Sequence, residues 1–181
     1  MKKLLVVLGL PGSGKDTQIA LLSERRPVEV IRVGEMTRLI GQKDPLVAQA
    51  LKDGDLADDD IVNSLILNRI SNVVDGGYLV SNGFPRSISQ AKWLDQLVSD
   101  RVLQIDKVIL ISISDNEALI RLRKRGRGDD DEKTIKHRVA VYHEFTDQVL
   151  DYYKSVGKLI IVDGGGSPDE VSKIVSSRLG W

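Results

Sequence analysis

The chain has 181 residues, 41% hydrophobic and 29% charged, a length and balance suited to one full-sized core. Its 26 Lys+Arg match its 26 Asp+Glu, which speaks against an extended nucleic-acid or membrane-surface footprint while allowing a local basic pocket. With no cysteine there is no disulfide framework and no thiolate metal site, and a reducing cytoplasm fits that composition.

Met1-Lys2-Lys3 followed by the apolar run at 4–10 has the outline of a leader, but the run is short and no small-residue cleavage site follows. A buried strand explains it better. Further runs rich in Val, Ile and Leu lie at 28–33, 78–80, 108–113 and 159–162. They do not alternate with polar residues, the pattern of strands buried on both faces in a parallel sheet. Helical periodicity occupies 15–25, 34–40, 45–53, 58–74, 88–99, 116–124 and 132–156. A last helix spans 168–179, with Ser167 as its cap and Pro168 in its first turn. Strand–helix alternation of this kind predicts an α/β fold, a doubly wound five-stranded parallel sheet flanked by helices. The stretch from 34 to 74 is longer than one crossover needs and predicts a small helical subdomain beside the sheet. Gly and Asp cluster at 126–131, which reads as a short loop.

Residues 9–17 read Gly9-Leu10-Pro11-Gly12-Ser13-Gly14-Lys15-Asp16-Thr17, after a buried strand and at the opening of a helix. Glycines let backbone N–H groups point inward around an anion, and the helix adds its positive N-terminal end. Lys15 supplies a mobile charge for terminal phosphates. A glycine-rich turn with a capping residue is the plainer alternative. Strand, glycines, lysine and helix in register favour a phosphate loop, with Gly12, Ser13, Gly14, Lys15, Asp16 and Thr17 holding a nucleoside triphosphate. Asp16 is anomalous there, because a carboxylate repels phosphate unless a cation sits between them. It is either turned outward as an N-terminal helix acid or part of a magnesium shell.

Four further motifs follow in order. They are Val33-Gly34-Glu35-Met36-Thr37-Arg38; Gly54-Asp55-Leu56-Ala57 with Asp59-Asp60-Ile61-Val62; Gly83-Phe84-Pro85-Arg86 with Gln90; and Arg121, Arg125, Arg127 and Arg138 around a Gly/Asp loop. With the phosphate loop, these make the chain resemble the adenylate kinase family of nucleoside monophosphate kinases over essentially its full length. The resemblance implies a single P-loop kinase domain over 1–181, an acceptor-binding subdomain at 34–62 and a minimal lid loop at 125–131. It implies MgATP + AMP ⇌ 2 ADP by in-line phosphoryl transfer, with Mg²⁺ and ATP as donor. It also implies a cytoplasmic, monomeric enzyme whose partners are small nucleotides.

Lys15, Arg86, Arg121, Arg127 and Arg138 are the implied catalytic cations, and Arg121 and Arg125 hold the donor. Arginine forks suit the many anionic oxygens of two nucleotides, and the i, i+4 spacing of Arg121 and Arg125 puts them on one helix face. The implied acceptor site is Val33, Gly34, Arg38, Leu56, Ala57, Gly83, Arg86 and Gln90, with the Gln90 amide able to pair both ways with an adenine edge. Two departures stand out. Asn82 lies where the family has a magnesium-orienting Asp, and Asp16 adds a carboxylate nearby. We therefore expect Asp16, with Asn82 acting through water, to take part in the metal shell. The second departure is the lid, which is reduced to one residue between Arg125 and Arg127. The rival readings are a UMP/CMP-type kinase and a nucleotide-binding protein with impaired turnover.

Overall fold

A computed structural model of the chain describes residues 1–74, 76–126 and 131–181. The strands are β1 (Lys2–Leu8), β2 (Glu29–Arg32), β3 (Tyr78–Asn82), β4 (Leu103–Ser112) and β5 (Leu159–Asp163), in the spatial order β2-β3-β1-β4-β5 and all parallel. The helices are α1 (Lys15–Arg25), α2 (Val33–Gly41), α3 (Pro45–Asp53), α4 (Asp59–Ser71), α5 (Ile88–Ser99), α6 (Asp115–Arg125), α7 (Glu132–Val141), α8 (Asp147–Ser155) and α9 (Pro168–Leu179). The expected α/β doubly wound sheet is what the chain forms.

The apolar runs become buried because both sheet faces are covered. Leu4, Val6, Leu8, Ile31 and Leu79 pack on one side with Ile66, Leu94 and Tyr153, and Leu5, Val7, Val80 and Ile109 pack on the other with Ile19, Leu22 and Val175. Each such side chain contributes about 1.5–3 kcal/mol when fully withdrawn from water. Local signals set several helix ends. Asp44 accepts N–H bonds from Leu46 and Val47 ahead of α3, and Asp58 does so from Asp60 and Ile61 ahead of α4. Ser167 and Glu170 form a reciprocal capping box at α9, with Pro168 in the first turn as its sequence predicts.

Three elements differ from expectation for identifiable reasons. β4 begins at Leu103, five residues before the predicted 108, because Gln104, Asp106 and Lys107 interrupt its apolar run. A register shift against β1 between Leu4 and Leu5 leaves Asp106 unpaired in that ladder, and the Tyr78 hydroxyl donates to its carboxylate. β3 runs on through Ser81 and Asn82 beyond the predicted 80. The predicted single helix at 132–156 is divided by a π-helical turn, Tyr142–Thr146, between α7 and α8.

Strand register determines where chemistry can occur. Val7 pairs with Asn82 and with Ile109, Arg32 pairs with Asn82, and the Gly83 N–H donates to the Val7 carbonyl at 2.9 Å. The carboxyl ends of β1, β2 and β3 are therefore level, at the point where the connections diverge to opposite sides of the sheet. Ligands of open α/β sheets bind at such a crevice.

Candidate active site

One cleft opens over those strand ends. It is lined by Gly12, Lys15 and Asp16 after β1, by Gly34 and Arg38 of α2, by Gly54, Asp55 and Leu56 after α3, by Asn82, Gly83 and Arg86 after β3, by Arg125 at the end of α6, and by Arg138 and Tyr142. Pieces of chain far apart in sequence thus deliver the cationic side chains of Lys15, Arg38, Arg86, Arg125 and Arg138 to one concavity.

The loop after β1 is built by close backbone approach. A Cβ on Gly9 would lie 2.5 Å from the Ile111 carbonyl and 2.6 Å from Ser13 Oγ, so only glycine fits. Ser13 N–H donates to the Leu10 carbonyl at 3.0 Å, closing the turn, and Ser13 is buried inside it. Lys15 Nζ donates to the Gly9 and Leu10 carbonyls at 2.7 and 2.8 Å. Burial, and then the neighbouring Arg86, lower its pKa to about 7, against the opposing pull of Asp16. The ammonium thus rests on its own loop and can exchange those carbonyls for phosphate oxygens.

Arg86 lies beside this loop. Its Nε donates to the Gly83 carbonyl at 2.7 Å. A Cβ on Gly83 would be 3.3 Å from Arg86 Nη2 and 3.8 Å from Lys15 Cε, so both cations flank one glycine. Burial, then Arg138 and Arg38, push the Arg86 pKa down, as expected where like charges face a common space. Thr146, in the π-turn, donates to the Arg86 carbonyl at 3.1 Å and steadies the loop from behind.

The other predicted residues fall into two groups. Gly34, Arg38, Leu56, Arg125 and Arg138 line the cleft with the loop. Val33 is buried in the core and Ala57 packs against it. Gly14 caps α1 in a left-handed conformation, and Thr17 is exposed on α1. Arg121 turns away, with Nε to Glu117 at 2.6 Å and Nη2 to the Gly164 carbonyl at 3.0 Å. Gln90 is 2% exposed; its Oε1 accepts the Arg86 N–H at 2.7 Å and its Nε2 donates to Asp59 at 2.7 Å. Both ends of the amide are thus engaged within the protein. Arg127, with most of the 125–131 loop, lies outside the described residues. Sequence reasoning overlooks Tyr142 and Thr146. Their one signal is a four-residue spacing from Arg138 through Tyr142 to Thr146, which a continuous helix would place on one stripe.

Asp16 and Asn82 meet at the cleft mouth, where the Asn82 amide donates to Asp16 Oδ1. Among the described residues no three His, Cys, Asp or Glu side chains gather as a metal cage. Magnesium does not need one, since it is commonly held by one or two carboxylates, waters and substrate phosphates. The oxygen donors present suit that hard cation. Among the described residues no helix is long and apolar enough to cross a membrane.

Comparison with known proteins agrees with this geometry. The adenylate kinase family model matches residues 7–158. The chain is 37% identical to the adenylate kinase of Prochlorococcus marinus (strain MIT 9211) over 184 residues, covering 99% of this chain and 98% of that protein. It is 36% identical to that of Nocardia farcinica (strain IFM 10152) over 180 residues, covering 97% and 98% of the two chains. With the adenylate kinase of Thermus thermophilus the identity is 34% over 184 residues, covering 97% and 96%. The chain belongs to the adenylate kinase family of phosphotransferases.

Proposed function

We propose that the protein transfers the γ-phosphoryl group of MgATP to AMP, giving two ADP, by direct in-line displacement. The observation that carries this reading is the convergence of Arg86 and Lys15 on Gly83 in one cleft. A protein that only bound ATP would need the loop after β1. It would have no use for a second set of arginines facing that loop.

In the transfer, an oxygen of the acceptor phosphate bonds to the γ-phosphorus as the bond to the β–γ bridging oxygen breaks, and charge spreads over the equatorial oxygens. The backbone amides of Gly12 and Gly14 hold donor phosphates in the loop that Ser13 closes, and Lys15 leaves the Gly9 and Leu10 carbonyls to follow the transferring group. Arg38 and Arg86 orient the acceptor phosphate, and Arg125 and Arg138, which line the same cleft, face the developing charge. Arg127 belongs with them. Arg121 reaches the donor only by leaving Glu117 and Gly164. Asp16, aligned by Asn82, would hold magnesium, which would supply neutralisation of phosphate charge. In this reading residues 34–62 are the acceptor arm and 125–131 the lid.

AMP is the preferred acceptor on the strength of the relatives, which are named adenylate kinases. A second reading, a UMP/CMP-type kinase, is favoured by two observations: the Gln90 amide is already bonded at both ends, to Arg86 and Asp59, and Val33 offers no side-chain hydrogen bond. A coupled assay with MgATP and AMP, CMP, UMP or GMP decides. At least tenfold higher kcat/KM for AMP, about 1.4 kcal/mol of discrimination, is the expected result. A preference for CMP or UMP would replace the first reading by the second, and no transfer to any acceptor would remove both.

A further inference from the structure

α3 packs on α2 and, through its carboxyl end, on α7. That second contact is close and specific. Gly54 caps α3 at φ 88°, and a Cβ there would lie 3.1 Å from Arg138 Cγ, 3.3 Å from His137 Cδ2 and 3.4 Å from Thr134 Cγ2. A side chain at residue 54 would suffer both the left-handed backbone and the wall of α7. Beside it, Asp55 Oδ1 and His137 Nε2 are 2.6 Å apart. One residue further along α7, Arg138 Nη2 donates to the Leu51 carbonyl at 3.5 Å. Leu51, Gly54, Asp55 and Arg138 all line the cleft.

We propose that Asp55 and His137 form a latch that seats the end of α3 on α7 and thereby positions Arg138. The inference rests on the kinase reading only for its kinetic consequence. His137 is a positioning residue: it points at the carboxylate rather than into the cleft, and it acts through its neighbour. The geometry has a direct consequence. Whatever lifts the end of α3 from α7 breaks the Asp55–His137 pair and withdraws the Leu51 carbonyl from Arg138 in the same movement. Seating of the acceptor arm and placement of Arg138 in the cleft are therefore one event. Both side chains are about half exposed, at 45% for His137 and 53% for Asp55, so the pair is a weak bias on that equilibrium. A weak bias suits a latch that must release on every turnover.

The test uses the absence of cysteine, which lets spin labels be placed at Lys43→Cys and Lys173→Cys, both exposed and one on each side of the cleft's moving contact. Inter-label distances are measured without substrate by double electron–electron resonance. Acceptor and donor KM are measured on the unlabelled proteins. Asp55→Asn and His137→Ala are expected to broaden the distance distribution toward longer values. They should also raise acceptor KM roughly threefold with donor KM unchanged, the size a solvent-exposed pair supports. The swap Asp55→His with His137→Asp restores both. His137→Lys, which keeps a nitrogen donor facing Asp55, stays near the original. Unchanged distances in both single variants would overturn the latch, as would a swap that fails to restore them. Absence of phosphoryl transfer in the original protein would instead defeat the kinase reading, while the distances would still decide the latch.

Discussion

The two sides of the cleft are built in different ways. The side we assign to the donor is one continuous segment, Gly9 to Thr17, held on its own backbone carbonyls: Ser13 N–H on Leu10, Lys15 Nζ on Gly9 and Leu10. The side we assign to the acceptor is assembled from α2, the end of α3, the loop after β3 and the π-helical turn, and is held by side chains. Arg86 sits between Gly83, Gln90 and Thr146, and Gln90 depends in turn on Asp59. A backbone-built site depends on a few local residues. A site assembled over long range is spread over many residues, none of which is irreplaceable on its own.

The sharpest test of that contrast is paired substitution. Lys15→Met is expected to lower kcat/KM by about 10³ or more, because no other cation occupies the loop. Arg86→Met is expected to cost about 10²–10³, with Arg38 retaining part of the acceptor interaction. Equal losses, or a larger one for Arg86, measured by coupled assay, would break the comparison.

The same contrast explains which features are legible in the sequence. The loop is legible because strand, glycines, lysine and helix are consecutive, and each has a local physical reason. The fold is legible because strands buried on both faces advertise themselves as unbroken apolar runs. The start of β4 is not, since Gln104, Asp106 and Lys107 look like a turn until Tyr78 is seen against Asp106. The acceptor side is legible as to residue type but not orientation. Nothing local shows that Gln90 spends its amide on Arg86 and Asp59, or that Arg121 turns to Gly164. The π-turn at Tyr142–Thr146 is hidden by a sequence that reads as helix throughout.

At the junction of the two sides, Asp16 and Asn82 touch, so their substitutions are expected to couple. Asp16→Gly should lower turnover about tenfold and weaken the dependence of nucleotide affinity on Mg²⁺. Adding Asn82→Asp should recover most of both. Titration calorimetry with and without Mg²⁺ checks this. An Asp16→Gly protein with an unaltered Mg²⁺ dependence would leave the contact without a metal role.

Lys15 offers a smaller effect confined to the donor side. Burial and Arg86 hold its pKa near 7, so in the nucleotide-free protein it is charged below that pH and loses its proton above it. A bound polyphosphate favours the ammonium and raises the pKa again. Nucleotide binding should therefore take up a proton, more at about pH 8 than at about pH 6.5, because linkage follows the pKa difference between the free and bound states. Calorimetry in buffers of different ionisation enthalpy reads this directly, and Lys15→Met should abolish it.

The smallest effect lies outside the cleft. His143 places Nδ1 on Asp147 at 2.8 Å and Nε2 on Asp115 at 2.9 Å, so both nitrogens donate when the ring is charged. The Asp147 and Asp115 hydrogen bonds raise its pKa above the ordinary histidine value. The stabilisation is thus complete below the unfolded-state value and is lost as pH rises through the raised folded-state value. All three groups are more than a third exposed, and solvent screening limits the contribution to less than about 1 kcal/mol. Denaturant unfolding of His143→Gln should show a deficit at about pH 5 that shrinks toward about pH 8. A deficit that does not vary with pH would assign the effect to packing.

The proposed chemistry depends on cations from separate parts of the chain converging on one polyphosphate track. Calorimetric titration with a dinucleotide whose two nucleosides are joined through a single polyphosphate chain tests this most directly. One molecule is expected to bind per chain, with affinity lowered by Lys15→Met and, independently, by Arg86→Met. Two molecules bound per chain, or an affinity indifferent to either substitution, would contradict it.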